Sequence, residues 1–451
     1  HEVVDWVEAR RQSTAFDDSH LQVMFDQCKA LIIGLQKRGA VVGSSLNTAY
    51  LLERLSQTLE RLETLMAIFV SNRYLPRRIL LLTGCFARAA AERHSISRLW
   101  KQSSGLMARS VTQNAGDHGE HYITRDKKEY WAMFYSAAGG GVLIALMALF
   151  KTYLGSIIDD KVWKGIAEGL NYGLGFMVIF MLHFTVATKQ PAMTAACFAE
   201  AVEKTPQGKT VNMKLAQLLV DVFRSQSIAV LGNVLIAMGL AALIAFGYQY
   251  KTGEPLMNAD QIAYQLHSID PFAGTLWFAA IAGVWLFCSG IISGYFDNRS
   301  NYLNMRMRLA QHPLLKKLMS EKTRVKFANY MHENYGSLIG NLCFGMLLGI
   351  TGVVGYLTHL PLDIRHVAFS SANVGYIAVS GQFTYSLLLQ CIGFVLLIGL
   401  VNLIVSFSLT LWVALRSLNA EIDSWWPIWH EVCQIVKKRP LSLFLPVQLD
   451  K

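Results

Sequence analysis

The amino-acid sequence predicts an all-α, polytopic membrane protein with about six transmembrane helices and an N-terminal soluble helical bundle. Of the 451 residues, 53% are hydrophobic and only 16% are charged, whereas soluble proteins carry about 25% charged residues. The charges are also unevenly placed, because long apolar runs broken by short basic loops fill residues 130–415. A bundle of membrane-spanning helices accounts for both features.

Six segments are apolar over the length that a bilayer-spanning helix needs, about 20 residues. They lie near 131–154, 165–188, 228–248, 272–296, 338–357 and 386–415. The last is long enough to tilt or to extend beyond the lipid. We therefore predict a transmembrane domain over residues 129–416, followed by a cytoplasmic tail over residues 417–451.

The placement of Lys and Arg predicts the orientation, because both residues accumulate in cytoplasmic loops. The loops after the second and fourth segments and the C-terminal tail are rich in basic residues, and the three intervening connections are poor in them. We expect a membrane protein with both termini in the cytoplasm and membrane lipids as partners. This topology explains the net charge of +10 without a nucleic-acid partner.

Residues 1–128 predict a cytoplasmic bundle of amphipathic helices over 17–38, 43–70 and 77–102. In the second of these, apolar residues recur at helical spacing, at Leu52, Leu55, Leu59, Leu62 and Met66. The region has no Gly-rich phosphate loop and no clustered carboxylates. We interpret it as a packing scaffold that offers a surface to a cytoplasmic protein partner.

The motif DHGEHY holds two candidate metal ligands, His118 and His121. Gly119 and the lack of a third ligand nearby favour a polar connection to the first membrane helix instead. The seven cysteines are scattered without a CxxC pair. The sequence therefore predicts no zinc site and no cofactor.

Small residues recur every four positions in the predicted spans. The pattern includes Gly165, Gly169, Gly173, Gly290, Gly294, Gly336, Gly340, Gly345 and Gly349. Glycines at this interval let helix backbones approach closely in lipid, within one chain or between copies in an oligomer. The alternative is that they leave room for a substrate path or hinge.

Polar residues at membrane depth cost free energy and usually face the bundle interior or a wet cavity. We predict a cluster near the cytoplasmic side, formed by His183, Lys189, Gln190, Asp297, Asn298, Arg299 and Asn341. Its cations suit an anionic headgroup or substrate, and Asp297 can neutralise them when the site is empty. Glu168, Asn171, Gln390 and Asn402 are further polar residues inside the spans.

Residues 359–381 lie on the predicted outer side, yet they are apolar apart from Asp363, Arg365, His366 and Asn373. Non-helical backbone at membrane depth is tolerated only where protein or water covers it. The segment is either a re-entrant, cavity-lining element with Asp363 and Arg365 paired, or a plain structured loop.

Four stretches carry a more specific resemblance: GEHYITRDKKEY (119–130) leading into AAGGG (137–141), HFTVATKQPAMTAA (183–196), SGYFDNRSNY (293–302) and LPLDIRHVAFSSANVGY (360–376). From about residue 40 onward, the chain resembles the bacterial family labelled site-specific recombinase, the gonococcal Gcr-type membrane proteins. The label implies DNA strand exchange.

Three functional hypotheses follow. The first is a transporter, channel or lipid-handling protein of the inner membrane, and the second is a membrane scaffold that docks a cytoplasmic partner. The third is recombination, which the residues disfavour: none of the 12 histidines begins a His-x-x-Arg motif, which a tyrosine recombinase needs. Six spans also leave little soluble surface to hold a DNA synapse. We therefore expect a non-enzymatic membrane protein.

Overall fold

The computed structural model describes residues 2–12, 18–42, 46–70, 75–92, 123–124, 126–186, 190–203, 209–379, 383–417, 422 and 424–445. Over these ranges the regular structure is helical, without a strand, so the predicted all-α class is confirmed. The chain divides into two compact units. One comprises His1–Ser110 with Asn298–Met305, and the other comprises Val111–Asp297 with Arg306–Lys451.

The first unit contains four described helices: α1 (Glu2–Arg11), α2 (Asp18–Val42), α3 (Leu46–Val70) and α4 (Leu75–Glu92). Each contacts the next one along the chain. The predicted third helix is described from Leu75 to Glu92, and residues 93–102 lie outside the described part. An ion pair of 2.6 Å joins Nζ of Lys29 to Glu63, and this hydrogen bond raises the pKa of Lys29.

The remaining helices follow in order: α5 (Lys127–Ile157), α6 (Lys161–Met181), α7 (Gln190–Glu203), α8 (Lys209–Thr252), α9 (Ala259–Ile269), α10 (Thr275–Tyr302), α11 (Met305–Gln311), α12 (Pro313–Leu318), α13 (Glu321–Thr358), α14 (Val367–Ala378), α15 (Tyr385–Ser417) and α16 (Trp426–Lys438). The predicted tail 417–451 therefore contains a helix.

Within the described residues, five helices are long and apolar enough to cross a membrane, namely α5, α8, α10, α13 and α15. Each coincides with a predicted segment, and the chain is a polytopic helical membrane protein. Two begin much earlier than their apolar segments, α8 at Lys209 and α13 at Glu321. The helix α8 continues into polar sequence before its apolar segment. Arg224 therefore lies inside this helix and not in a loop between the second and third apolar segments.

The predicted second span, 165–188, forms α6, which is not among those five helices. Glu168 and Asn171 lie within it and lower its hydropathy. The helix ends at Met181, because His183 adopts a left-handed backbone conformation with φ of 58°. The prediction that this helix continues to residue 188 is wrong. Its 21 residues nevertheless give a length of about 32 Å, enough to cross the hydrocarbon core.

Helices α6 and α13 pack closely through glycines. A Cβ atom at Gly173 would lie 2.8 Å from the carbonyl oxygen of Leu342, and one at Gly349 would lie 2.6 Å from the carbonyl oxygen of Gly165. Residue numbers rise along α6 as those of their partners fall along α13, so the two helices are antiparallel. The interpretation of these glycines as packing positions is confirmed.

The segment 359–381 contains α14, a helix of 12 residues. It is too short to span a bilayer, which requires about 20 residues. Ten of the 12 residues are buried, and the helix contacts α5, α8, α9 and α15. The hydroxyl of Tyr376 donates a hydrogen bond of 2.7 Å to the carbonyl of Ala145 in α5. Protein therefore covers this helix on several sides.

A separate hydrophobic core joins α7, the first turns of α8, the last turns of α15 and α16. Its buried residues include Phe198, Leu215, Leu411 and Ile428. The long helices α8 and α15 thus continue out of the apolar bundle and pack against two shorter helices at their shared end.

Candidate functional site

Helices α5 and α6 each present a charged side chain to the other helix. Nζ of Lys151 lies 3.4 Å from a carboxylate oxygen of Glu168 and 5.5 Å from the ring centroid of Tyr172. Lys151 lies inside α5, about two turns before the helix ends. Asn171 donates a hydrogen bond of 2.9 Å to the carbonyl of Met147 and further joins the two helices.

The ion pair predicted between Asp363 and Arg365 is present. Nη1 of Arg365 lies 2.6 Å from Oδ2 of Asp363. Nε of Arg365 donates a hydrogen bond of 2.7 Å to the carbonyl of Ser268, at the end of α9. The guanidinium also lies 5.4 Å from the ring centroid of Phe278 in α10. Arg365 is therefore held from three sides.

Tyr172 lies close both to the first ion pair and to the helix that follows the second. Nζ of Lys151 lies 5.5 Å from its ring centroid. Its ring is buried and its centroid lies 4.4 Å from that of Phe369 in α14. We name Lys151, Glu168, Tyr172, Asp363 and Arg365 the Lys151–Arg365 cluster.

The cluster is partly open to its surroundings. The side chains of Lys151 and Asp363 are 38% and 36% exposed. Their partners Glu168 and Arg365 are 15% and 13% exposed. An incoming charged group could therefore reach one member of each pair, while the other member stays fixed by the protein.

Asn402 of α15 positions the polypeptide that carries Arg365. Its side chain is fully buried. Nδ2 donates hydrogen bonds to the carbonyls of Ala279, at 2.7 Å, and Arg365, at 3.1 Å. Oδ1 accepts from the backbone N–H of Val367, at 3.2 Å, and so caps α14. One amide thus joins α10, α14 and α15.

His366 and Asn373 have different environments. His366 is buried, and its ring lies 6.1 Å from that of Phe176, 5.7 Å from that of Phe344 and 5.8 Å from that of Phe369 between ring centroids. It therefore packs among aromatic rings. Asn373 is half-buried in α14.

The predicted cytoplasmic-side cluster is only partly described. The backbone carbonyl of His183 accepts a hydrogen bond of 3.1 Å from Ser136 in α5. Oδ1 of Asp297 instead accepts from the backbone N–H of Gly336 in α13, at 2.9 Å. Asn341 is buried and donates to the carbonyl of Ser337, at 2.8 Å. His183 is thus joined to α5, whereas Asp297 and Asn341 both make their contacts on α13.

Two further members of that cluster lie in the last turns of α10. Asn298 is half-buried and Arg299 is exposed. Lys189 and the side chain of Gln190 lie outside the described residues, as do the metal candidates His118 and His121. The cluster and the metal site stay predictions. Within the described ranges, no three His, Cys, Asp or Glu residues come together as a metal-binding group.

Sequence reasoning missed a buried charge in α8. The side chain of Arg224 is 5% exposed and lies 2.9 Å from Asp221. It also donates a hydrogen bond of 2.6 Å to the carbonyl of Thr124. The available signal was the spacing of three residues between these opposite charges, which places them on one face of a helix.

Comparison with known proteins adds one result. Neither the curated proteins nor the solved structures contain a significant match to the chain. A family model described as site-specific recombinase matches residues 1–446, a wider range than the predicted start near residue 40. The chain therefore belongs to the site-specific recombinase family.

Proposed function

We propose that this protein is an inner-membrane transporter that binds an anionic group of its substrate at the Lys151–Arg365 cluster. The observation that carries the proposal is the ion pair between Lys151 and Glu168, 3.4 Å apart, on helices α5 and α6. Ionisable residues in membrane-spanning bundles are costly and usually mark a substrate or ion pathway. We also propose that both termini lie in the cytoplasm, because Lys and Arg accumulate in the C-terminal tail and in alternate loops.

The two carboxylates suit a site that must be neutral when empty. Glu168 neutralises Lys151, and Asp363 neutralises Arg365. An anion that enters the cluster competes with Glu168 for the ammonium group of Lys151.

The short helix α14 supports the same proposal. Transporters often bind their substrates beside helices that end within the membrane. Interrupted helices of this kind are tolerated where protein covers them, and α14 is buried between longer helices. We propose that residues 359–381 form a re-entrant element beside the substrate path.

A scaffold function is the second candidate, and one observation favours it. The N-terminal unit exposes large apolar side chains, among them Leu31, Ile33, Leu80 and Leu81. Recombination is disfavoured, because the sequence lacks the His-x-x-Arg motif. The family description alone supports a reaction on DNA.

Binding and uptake measurements test the proposal. The unfolding temperature of the purified protein is measured with and without inorganic phosphate, succinate or glycerol 3-phosphate. Uptake of the same anions, radiolabelled, is measured in proteoliposomes. We expect at least one anion to raise the unfolding temperature and to be taken up. Lys151→Met should abolish both effects, and Glu168→Gln should strengthen binding at neutral pH because it removes the competing carboxylate.

Lys251→Met is the matched control, because this exposed lysine lies in the last turn of α8 and is not a member of the cluster. It should bind and transport as the wild type does. The proposal is wrong if no anion distinguishes the wild type from Lys151→Met. Specific cleavage of DNA by the purified protein would instead support the family description.

A further inference from the structure

The C-terminal helix α16 and the residues that follow it present three distinct faces. Ile428, Val432 and Ile435 recur at helical spacing and pack into the core shared with α7, α8 and α15. Trp426 and Trp429 lie on an adjacent face and are 79% and 53% exposed. The remaining face is polar.

The exposed apolar surface continues beyond the helix. Leu441, Phe444 and Leu445 are all large apolar residues with about half or more of their surface exposed. Lys437 and Lys438 lie in the last turn of α16, and Arg439 follows them. Tryptophans beside a basic cluster are typical of helices that lie in the membrane interface.

Hydrogen bonds fix this surface beside a membrane-spanning helix. The hydroxyl of Tyr130, in the first turn of α5, donates to the carbonyl of Phe444 at 2.7 Å. The next residue, Trp131, is exposed, as expected for a side chain at the lipid boundary. The rings of Phe223 in α8 and Phe444 are also in contact, with centroids 6.1 Å apart. The exposed surface therefore begins where α5 begins.

We propose that α16 and residues 439–445 form an interfacial anchor that lies on the anionic lipid surface at the cytoplasmic ends of the spans. Trp426 and Trp429 enter the boundary between headgroups and acyl chains. Lys437, Lys438 and Arg439 bind anionic headgroups, to which their charge is complementary. The anchor holds the shared end of α8 and α15 against the membrane, and it does not depend on the proposed transport.

The chain provides a suitable probe for this anchor. Cys433 is exposed and lies on the same face as Trp426 and Trp429, at helical spacing from both. Gln434 is exposed and lies about 100° further around the helix, on the polar face. Spin labels at these two positions therefore compare the surroundings of the tryptophan face with those of the polar face. The two positions differ by only one residue along the helix axis.

The experiment uses the full-length protein in nanodiscs of phosphatidylethanolamine and phosphatidylglycerol. All other cysteines are replaced by serine, and the label is attached either to Cys433 or to the cysteine of a Cys433→Ser, Gln434→Cys variant. Collision with dissolved oxygen reports lipid exposure, and collision with a water-soluble nickel chelate reports water exposure. We expect severalfold less nickel collision and more oxygen collision at position 433 than at position 434.

Two results would overturn the proposal. Equal, high nickel collision at both positions would mean that the tryptophan face lies in water. Low collision with both reagents at position 433 would mean that protein covers the face, either a second copy or another chain. Replacing phosphatidylglycerol by phosphatidylcholine should bring position 433 closer to water. A Lys437→Gln, Lys438→Gln variant should show the same change without loss of α-helical circular dichroism.

Discussion

At the scale of single residues, Asn402 shows how one buried amide organises a membrane domain. Its side chain is fully buried and makes hydrogen bonds to Ala279, Arg365 and Val367. Water is unavailable at such a site to replace a lost partner. The amide therefore determines both where α14 begins and where Arg365 lies.

Asn402→Ala should destabilise the protein by about 2–4 kcal/mol, because it removes three hydrogen bonds and leaves buried backbone groups unsatisfied. The measurement is reversible unfolding in mixed micelles, or the shift in unfolding temperature where unfolding is irreversible. Gln390→Ala is the control, because Gln390 is exposed on the same helix and should change stability little. Equal stability of both variants would show that the Asn402 hydrogen bonds contribute nothing measurable.

At the scale of elements, the crossing of α6 and α13 depends on the absence of side chains. Gly349 lies against the carbonyl of Gly165, where a Cβ atom would approach to 2.6 Å. The fit allows close backbone packing, which stabilises helix pairs in lipid. Within α13, Gly352 differs, because a Cβ atom there would have no neighbour within 4 Å.

Gly349→Val should separate the two helices and cost about 3 kcal/mol or more, because the added atoms overlap with backbone that cannot move locally. Gly352→Val, the matched control on the same helix, should leave stability nearly unchanged. Size-exclusion profiles and unfolding temperatures of the two variants provide the measurement. A folded, equally stable Gly349→Val protein would contradict the packing described for this crossing.

At the scale of the whole molecule, the number of crossings depends on α6. Hydropathy identifies five spanning helices among the described residues, and an odd number would place the two termini on opposite sides of the membrane. Because α6 packs antiparallel along the apolar half of α13, we expect α6 to cross as well. Six crossings would place both termini on the same side.

Reporter fusions test this topology. We expect alkaline phosphatase to be active when fused between α5 and α6, after residue 159, and inactive when fused after residue 189. A C-terminal green fluorescent protein should fluoresce, because the tail is expected in the cytoplasm. Phosphatase activity at both fusion sites would mean that α6 does not cross the membrane.

Much of the helical architecture could be predicted because it depends on the length and residue spacing of single segments. Apolar length identified all five spanning helices. Spacing of four residues identified the glycines that pack α6 on α13. The pair Asp363 and Arg365 could be predicted because the two residues lie only two positions apart. Helix ends were less accurate, since α8 and α13 continue into polar sequence that apolar length does not detect.

The candidate site could be predicted only in part. Asp363, Arg365 and Glu168 were recognised as unusual polar residues in an apolar region, but Lys151 was not singled out. Whether Lys151 meets Glu168 depends on the antiparallel pairing of α5 with α6, and the contact of Tyr172 with Phe369 depends on the position of α14. Neither pairing leaves a signal in the spacing of one sequence.

The sequence by itself determined that this protein is a helical membrane protein, because the length and apolarity of its segments are sufficient to place helices in lipid. Tertiary structure alone decided that α14 is buried, that Lys151 pairs with Glu168 and that Arg224 is enclosed beside Asp221. The physical reason is that a polar residue in an apolar helix can face lipid, water or a partner. Only the arrangement of neighbouring helices selects among them.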